Sequence, residues 1–215
     1  QGTGNGCGKN RQRKPAINKG LIMIAILKYN SGNTMSVQVA LQRLGHESVV
    51  TADPEILLKA DRVIIPGVGE ARSAMSHLRE RGLDTVILSL KQPVLGICLG
   101  LQLMCNRSEE NDTDCLGIFD TLVRRFPPGA RVPHMGWNNL ENLSNNPLLD
   151  GLTTSDDLYY VHSYYAELNS DTMAVCNYIL PFSAAMQRDN YYAVQFHPEK
   201  SAEPGARLLK NFLEL

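Results

Sequence analysis

Gly96-Ile97-Cys98-Leu99-Gly100 places a cysteine between two glycines, where the apolar run 94–97 gives way to a helical pattern over 101–106. A strand–turn–helix elbow with the form Gly-x-nucleophile-x-Gly presents its central side chain at the rim of a sheet, and here that side chain is a thiol. The glycines have a steric role in this reading: side chains beside so sharp a turn would collide with neighbouring strands. The start of a helix also favours the thiolate through the positive end of its dipole. Taken alone, the motif fits a buried packing cysteine better, since free cysteine is among the most buried residue types.

A thiol nucleophile needs a base, and the base needs a partner to orient it. Phe196-His197-Pro198-Glu199 supplies both directly after the apolar strand pattern 191–195. In extended chain His197 and Glu199 point the same way, and Pro198 fixes the backbone between them. The other histidines compete less well. His46 and His77 fall in or beside helical patterns, whereas His134 and His162 lie in Gly-rich or aromatic segments without a carboxylate two residues on. A third segment, Pro66-Gly67-Val68-Gly69, ends another strand pattern. Its glycines leave backbone N–H groups free to turn toward a ligand and, with the N–H of Leu99, to form an oxyanion hole.

The elements that must position these groups alternate in the first half of the chain. Strands are expected over 21–27, 47–50, 62–65 and 94–97. Helices are expected over 34–44, from the Asp53-Pro54 cap, and over 72–81. That alternation predicts an α/β fold with a mostly parallel central sheet flanked by helices. In the second half, short strands over 123–126, 158–161, 173–176, 184–187 and 191–196 predict an antiparallel extension. A final amphipathic helix is expected over 205–213.

Composition narrows the function classes. Of 21 Lys and Arg residues, five lie within residues 1–20 with no acid, leaving 16 against 22 acidic residues in the remainder. An acidic body gives no footprint for nucleic acid. The low-apolar, Gly-rich segment 1–20 reads as a disordered basic extension or an expression remnant, and 21–215 as one domain. Five cysteines without a Cys-x-x-Cys pair argue against a disulfide framework or a structural zinc site. A cytoplasmic setting is expected, and the apolar run 21–27 is too short to span a membrane.

Together these motifs resemble the triad glutamine amidotransferases across 21–215. PGVGE (66–70), PHMGWN (133–138), YVHSYY (160–165) and FHPEKS (196–201) resemble one branch in particular. In that branch the glutaminase is one half of a heterodimer and hands ammonia to a (β/α)8-barrel cyclase subunit in histidine biosynthesis. The resemblance implies L-glutamine as substrate and no cofactor or metal. It makes Cys98 the nucleophile, His197 the base and acid, and Glu199 the orienting group, with Val68 and Leu99 donating oxyanion N–H groups. Gly67, Gly69, Gln102, Glu110, His162 and Ser163 would line the glutamine site, and Trp137 and Lys200 would meet the partner. The motifs of the residues leave open a glutaminase serving another synthase, or a stand-alone γ-glutamyl peptidase.

Overall fold

The computed structural model describes residues 22–30 and 33–215; the expected basic extension over 1–20 lies outside them. Among the described residues a seven-stranded sheet forms the centre, in the order β11-β12-β13-β4-β3-β1-β2. The parallel part comprises β2 (Ser48–Thr51), β1 (Ile24–Leu27), β3 (Arg62–Ile65), β4 (Val94–Ile97) and β13 (Tyr191–Val194). Beyond β13, β12 (Leu180–Arg188) and β11 (Thr172–Tyr178) continue it antiparallel. The expected α/β sheet with an antiparallel extension is present.

Strand alternation divides the core between the two faces of this sheet. Ile24, Ile26, Ile64, Leu95 and Ile97 point to one side. There they meet Val37 and Leu41 of α1 (Thr34–Arg43), and Leu208 and Phe212 of α6 (Ala202–Glu214). Ala25, Leu27, Val63, Ile65 and Val94 point to the other. They pack on Leu57 of α2 (Pro54–Lys59), Met75 and Leu78 of α3 (Ala71–Glu80), and Leu83 and Ile87 of α4 (Leu83–Ser89). Strands β1, β3 and β4 are therefore apolar on both sides, which is why they read as continuous runs rather than alternating ones.

Local signals explain most boundaries. Asp53 caps α2 by accepting from the Glu55 N–H at 2.9 Å, with Pro54 in the first turn. Glu70 caps α3 by accepting from the N–H groups of Arg72 and Ser73 at 2.9 and 2.8 Å. The sequence does not announce α4: its run LDTVILS is rich in poor helix formers. It forms because Gly82, in the left-handed region at φ 65°, turns the chain out of α3, and because Leu83 and Ile87 find a core.

The second half departs from expectation in one respect. Only β11, β12 and β13 join the central sheet. A four-stranded sheet contains β10 (Tyr164–Ala166), β7 (Phe119–Arg125), β5 (Cys105–Ser108) and β6 (Thr113–Asp114). A separate antiparallel ribbon pairs β8 (His134–Asn138) with β9 (Leu158–His162). This ribbon lies near the carboxyl ends of β4 and β13, where the Tyr159 carbonyl accepts the His197 N–H at 2.9 Å.

Candidate active site

The elbow is held by backbone against backbone. A Cβ on Gly100 would stand 2.2 Å from the Ile65 carbonyl oxygen, and one on Gly96 would lie 2.8 Å from the Gly100 carbonyl carbon. Neither neighbour can swing away as a side chain would. These contacts let α5 (Leu99–Met104) start directly above the ends of β3 and β4. They force Cys98 to φ 52° and ψ −104°, a sparsely populated conformation of the kind concentrated at functional sites. The Cys98 N–H still reaches the Val194 carbonyl at 2.8 Å, so the nucleophile candidate is tied to β13 as well as β4.

Gly67 completes the platform. Its Cβ position would be 2.5 Å from Leu99 Cβ and 2.7 Å from the Gly100 nitrogen. The Pro66–Gly69 loop therefore rests on the start of α5, bringing the Val68 segment beside Leu99. Gly69 at φ 139° supplies the turn that leads into α3. Glu110 sits behind this loop, where its Oε2 accepts the Ala71 N–H at 2.7 Å. Burial, reinforced by the nearby Glu70 charge, raises the Glu110 carboxyl above its usual range even though the Ala71 N–H lowers it.

His197 and Glu199 follow β13, the strand beside β4, and a 3-10 turn over Pro198–Lys200 closes the segment. The His197 ring is fully buried, and its Nδ1 lies 2.8 Å from Glu199 Oε1. The same Oε1 accepts from the Asn33 amide. Burial by itself lowers the His197 pKa. The charge and hydrogen-bonding influence of Cys98, with the bond to Glu199, outweighs it and carries the imidazole up to about 10. His197 Nε2 has no aligned hydrogen-bond partner among the described residues, so the Cys98 sulfur acts on it mainly as a nearby charge. Ser201 braces the segment, donating to the His197 carbonyl at 2.6 Å and accepting the Tyr159 N–H at 2.9 Å. Gly205 lets α6 press against it, since a Cβ there would fall 2.0 Å from the Pro198 carbonyl oxygen.

The structure thus brings Cys98, His197, Glu199, Gly67, Leu99 and the Val68 loop to one rim. It places the other expected residues differently. His162 is buried with both ring nitrogens occupied: Nδ1 donates to the Tyr164 carbonyl at 2.7 Å and Nε2 faces His134 Nδ1 at 3.0 Å. Burial depresses the His162 pKa to about 3 and that of His134 to about 4. His134 stacks on Tyr178 at 4.0 Å between ring centroids. Ser163 offers its carbonyl to the Phe126 N–H at 3.1 Å. Gln102 is buried, with its amide committed to the Tyr164 carbonyl and to Gln195. Trp137 and Met135 stand more than half exposed on β8. Trp137 meets Tyr159 edge-on at 5.7 Å, and the exposed Lys200 lies 5.8 Å over the same Tyr159 ring.

Two residues in this constellation went unread in the sequence. Asn33 stands at the start of α1, but its side chain makes no cap bond and goes to Glu199 instead. Gln195 is fully buried beside Cys98 and had a legible signal: an amide in an otherwise apolar strand. A large apolar concavity of about 1000 Å³ lies elsewhere, lined by residues such as Ile24, Leu44, Val49 and Leu213 near the amino ends of β1 and β2. It contains neither Cys98 nor His197, which stand at the opposite rim.

Fold and rim geometry together define an α/β protein that sets an elbow cysteine beside a buried histidine–glutamate pair. The description "Glutamine amidotransferase class-I" fits residues 25–215. The imidazole glycerol phosphate synthase subunit HisH of Bacteroides fragilis is 57% identical over 195 residues, covering 89% of this chain and 99% of that protein. The HisH of Escherichia coli K12 is 48% identical over 194 residues with the same coverage. A solved glutamine amidotransferase superposes with a TM-score of 0.70 at 24% identity, covering 91% of this chain and 98% of the other; at that identity the likeness speaks for the fold. The chain belongs to the class-I glutamine amidotransferase family, in the branch of the imidazole glycerol phosphate synthase HisH subunits.

Proposed function

We propose that this chain hydrolyses L-glutamine to glutamate and ammonia at Cys98, and that the ammonia feeds a cyclase subunit forming imidazole glycerol phosphate in histidine biosynthesis. The observation that carries the chemistry is the 2.8 Å pairing of His197 with Glu199 just past the end of β13, the strand next to the Cys98 elbow. The cysteine sulfur attacks the side-chain amide carbon, and the carbonyl electrons move to oxygen. The N–H groups of Val68 and Leu99 receive that oxyanion. Collapse of the intermediate breaks the C–N bond, and His197 gives its proton to the departing ammonia. An imidazole held protonated by Cys98 and Glu199 is suited to that step. Water then attacks the thioester as His197 takes its proton, releasing glutamate and the thiol.

Glu199, held by Asn33, keeps Nδ1–H of the imidazole directed at the carboxylate and Nε2 toward the sulfur. Gly67 and Gly69 shape the glutamine site, Glu110 receives the substrate's α-amino group, and Gln102, His162 and Ser163 complete its walls. Trp137 and Lys200 meet the partner, a (β/α)8-barrel cyclase forming a cytoplasmic heterodimer with the single domain 21–215. An exposed Trp beside a cation and a second aromatic ring has the composition of an interface anchor.

Steady-state ammonia release should be weak for the chain alone, and strongly stimulated by the cyclase with its nucleotide ligand. The stimulation should appear in kcat, because an oxyanion donor acts in the transition state. Equal kcat for the chain alone, with partner, and with partner plus ligand would overturn the partner-coupled reading.

A further inference from the structure

Cys98 has a polar neighbour that the proposed mechanism does not use. Gln195 Nε2 lies 3.5 Å from Cys98 Sγ. Amide oxygen and nitrogen are interchangeable by shape, so the hydrogen-bond chain must decide which end faces the sulfur. Here it decides without ambiguity. The Tyr164 carbonyl can only accept, so Gln102 turns its NH2 group to it at 2.9 Å. The second N–H of that group points to Gln195 at 3.1 Å, which must therefore present its oxygen there. The NH2 end of Gln195 is left facing Cys98. The same Tyr164 carbonyl also accepts the His162 Nδ1–H at 2.7 Å, so the anchor of the chain is itself held on two sides.

From this geometry we infer that Gln195 is a positioning residue for the nucleophile, donating an amide hydrogen bond to the Cys98 sulfur, with Gln102 as its brace. The inference rests on Cys98 being the nucleophile. An N–H donor stabilises a sulfur anion more than a neutral thiol, because hydrogen bonds to charged groups are the stronger ones. It also restrains the sulfur, whose other hydrogen-bonding contact within 4 Å, the Val161 carbonyl at 3.9 Å, is a long one. Both Gln195 and Gln102 are buried, so water does not replace the donor when the amide is removed. The reach of the inference extends to Gln102: as long as its amide holds Gln195 and Tyr164, it acts on the reaction through Gln195 and not only through glutamine.

The test uses iodoacetamide with the isolated chain and no glutamine, following Cys98 modification by peptide mass spectrometry across a pH series. Gln195→Met keeps the side-chain length and removes the donor. Cys98 alkylation at neutral pH should slow about ten- to a hundred-fold, the loss expected for one hydrogen bond to a charged acceptor. Its pH profile should move to higher pH while Cys115 reacts as before. Gln102→Leu should shift the profile the same way by less. If Gln195→Met does not fold, Gln195→Glu retains the acceptor for Gln102 and removes the donor, and should slow alkylation in the same sense. A folded variant of either kind with an unmoved profile overturns the inference. A wild-type Cys98 no more reactive than Cys115 would overturn the nucleophile reading as well, which separates the two failures.

Discussion

The β4–α5 elbow and the β8–β9 ribbon both approach Cys98, yet they are built on opposite principles. The elbow is made of backbone: Gly67, Gly96 and Gly100 exist so that three chain segments can touch without side chains between them. The ribbon is made of side chains: His134 and His162 sit among Phe126, Tyr160, Tyr178 and Phe182, and their polar atoms are satisfied by one another, Asn138 and the Tyr164 carbonyl. The difference teaches where a histidine is available for proton transfer. His197 keeps one nitrogen uncommitted toward the sulfur, while His162 has none to spare.

Active-site substitutions should separate the two regions most widely. Cys98→Ser is expected to abolish glutaminase turnover, and His197→Ala to lower it about 10³-fold, within the range for a general acid–base group. Circular dichroism should show both variants folded. His162→Phe should retain far more turnover than His197→Ala; the reverse order, measured with saturating partner, would break the contrast. Glu199→Gln should fall between, because the imidazole remains but loses its charged orienting partner.

Gly100→Ala probes the elbow's construction. Its methyl would collide with a main-chain oxygen, so a loss of about 3 kcal/mol or more is expected. For a chain of this size that is a Tm fall of roughly 10 °C. A Tm within about 2 °C of wild type would show that the segments can part cheaply, and that the backbone contacts are not what sets Cys98 in place.

The smallest effects lie in the pH dependence of Tm, where the two regions should have opposite signs. The folded-state pKa values of His134 and His162, about 4 and about 3, lie below the ordinary value near 6.5. Their contribution is complete above about 6.5 and is lost as pH falls through that window. His197, raised to about 10, contributes fully below about 6.5 and loses its contribution as pH climbs toward 10. His134→Phe should therefore flatten the acid limb alone, and His197→Ala the alkaline limb alone. Thermal melts across pH 4–10 that show both limbs unchanged would remove this distinction.

The same division explains what could be read from the sequence. Strands β3 and β4 fall where the apolar runs 62–65 and 94–97 place them, and the elbow and the His197–Glu199 spacing announce themselves locally. Such features are dictated within a few residues. The ribbon is so only in part: β9 falls on the expected run 158–161, but β8 contains Gly136, follows Pro133, and becomes a strand only by pairing with β9, some twenty residues on. Asn33 and Gln195 were missed for a related reason, since each acquires its role from a partner far along the chain.

Strand β13 is among the last elements of the chain, yet it lies in the interior of the sheet, between β4 and β12. A growing chain emerging from the ribosome therefore contains Cys98 long before it contains β13 and, just after it, Gln195, His197 and Glu199. Until then the elbow thiol stands without the buried histidine–glutamate pair that faces it in the folded chain. Late insertion of an interior strand also demands long-range closure, which slows folding. A copy cut before residue 191 would therefore lack both the His197–Glu199 pair, on which the proposed chemistry depends, and an inner strand of its sheet.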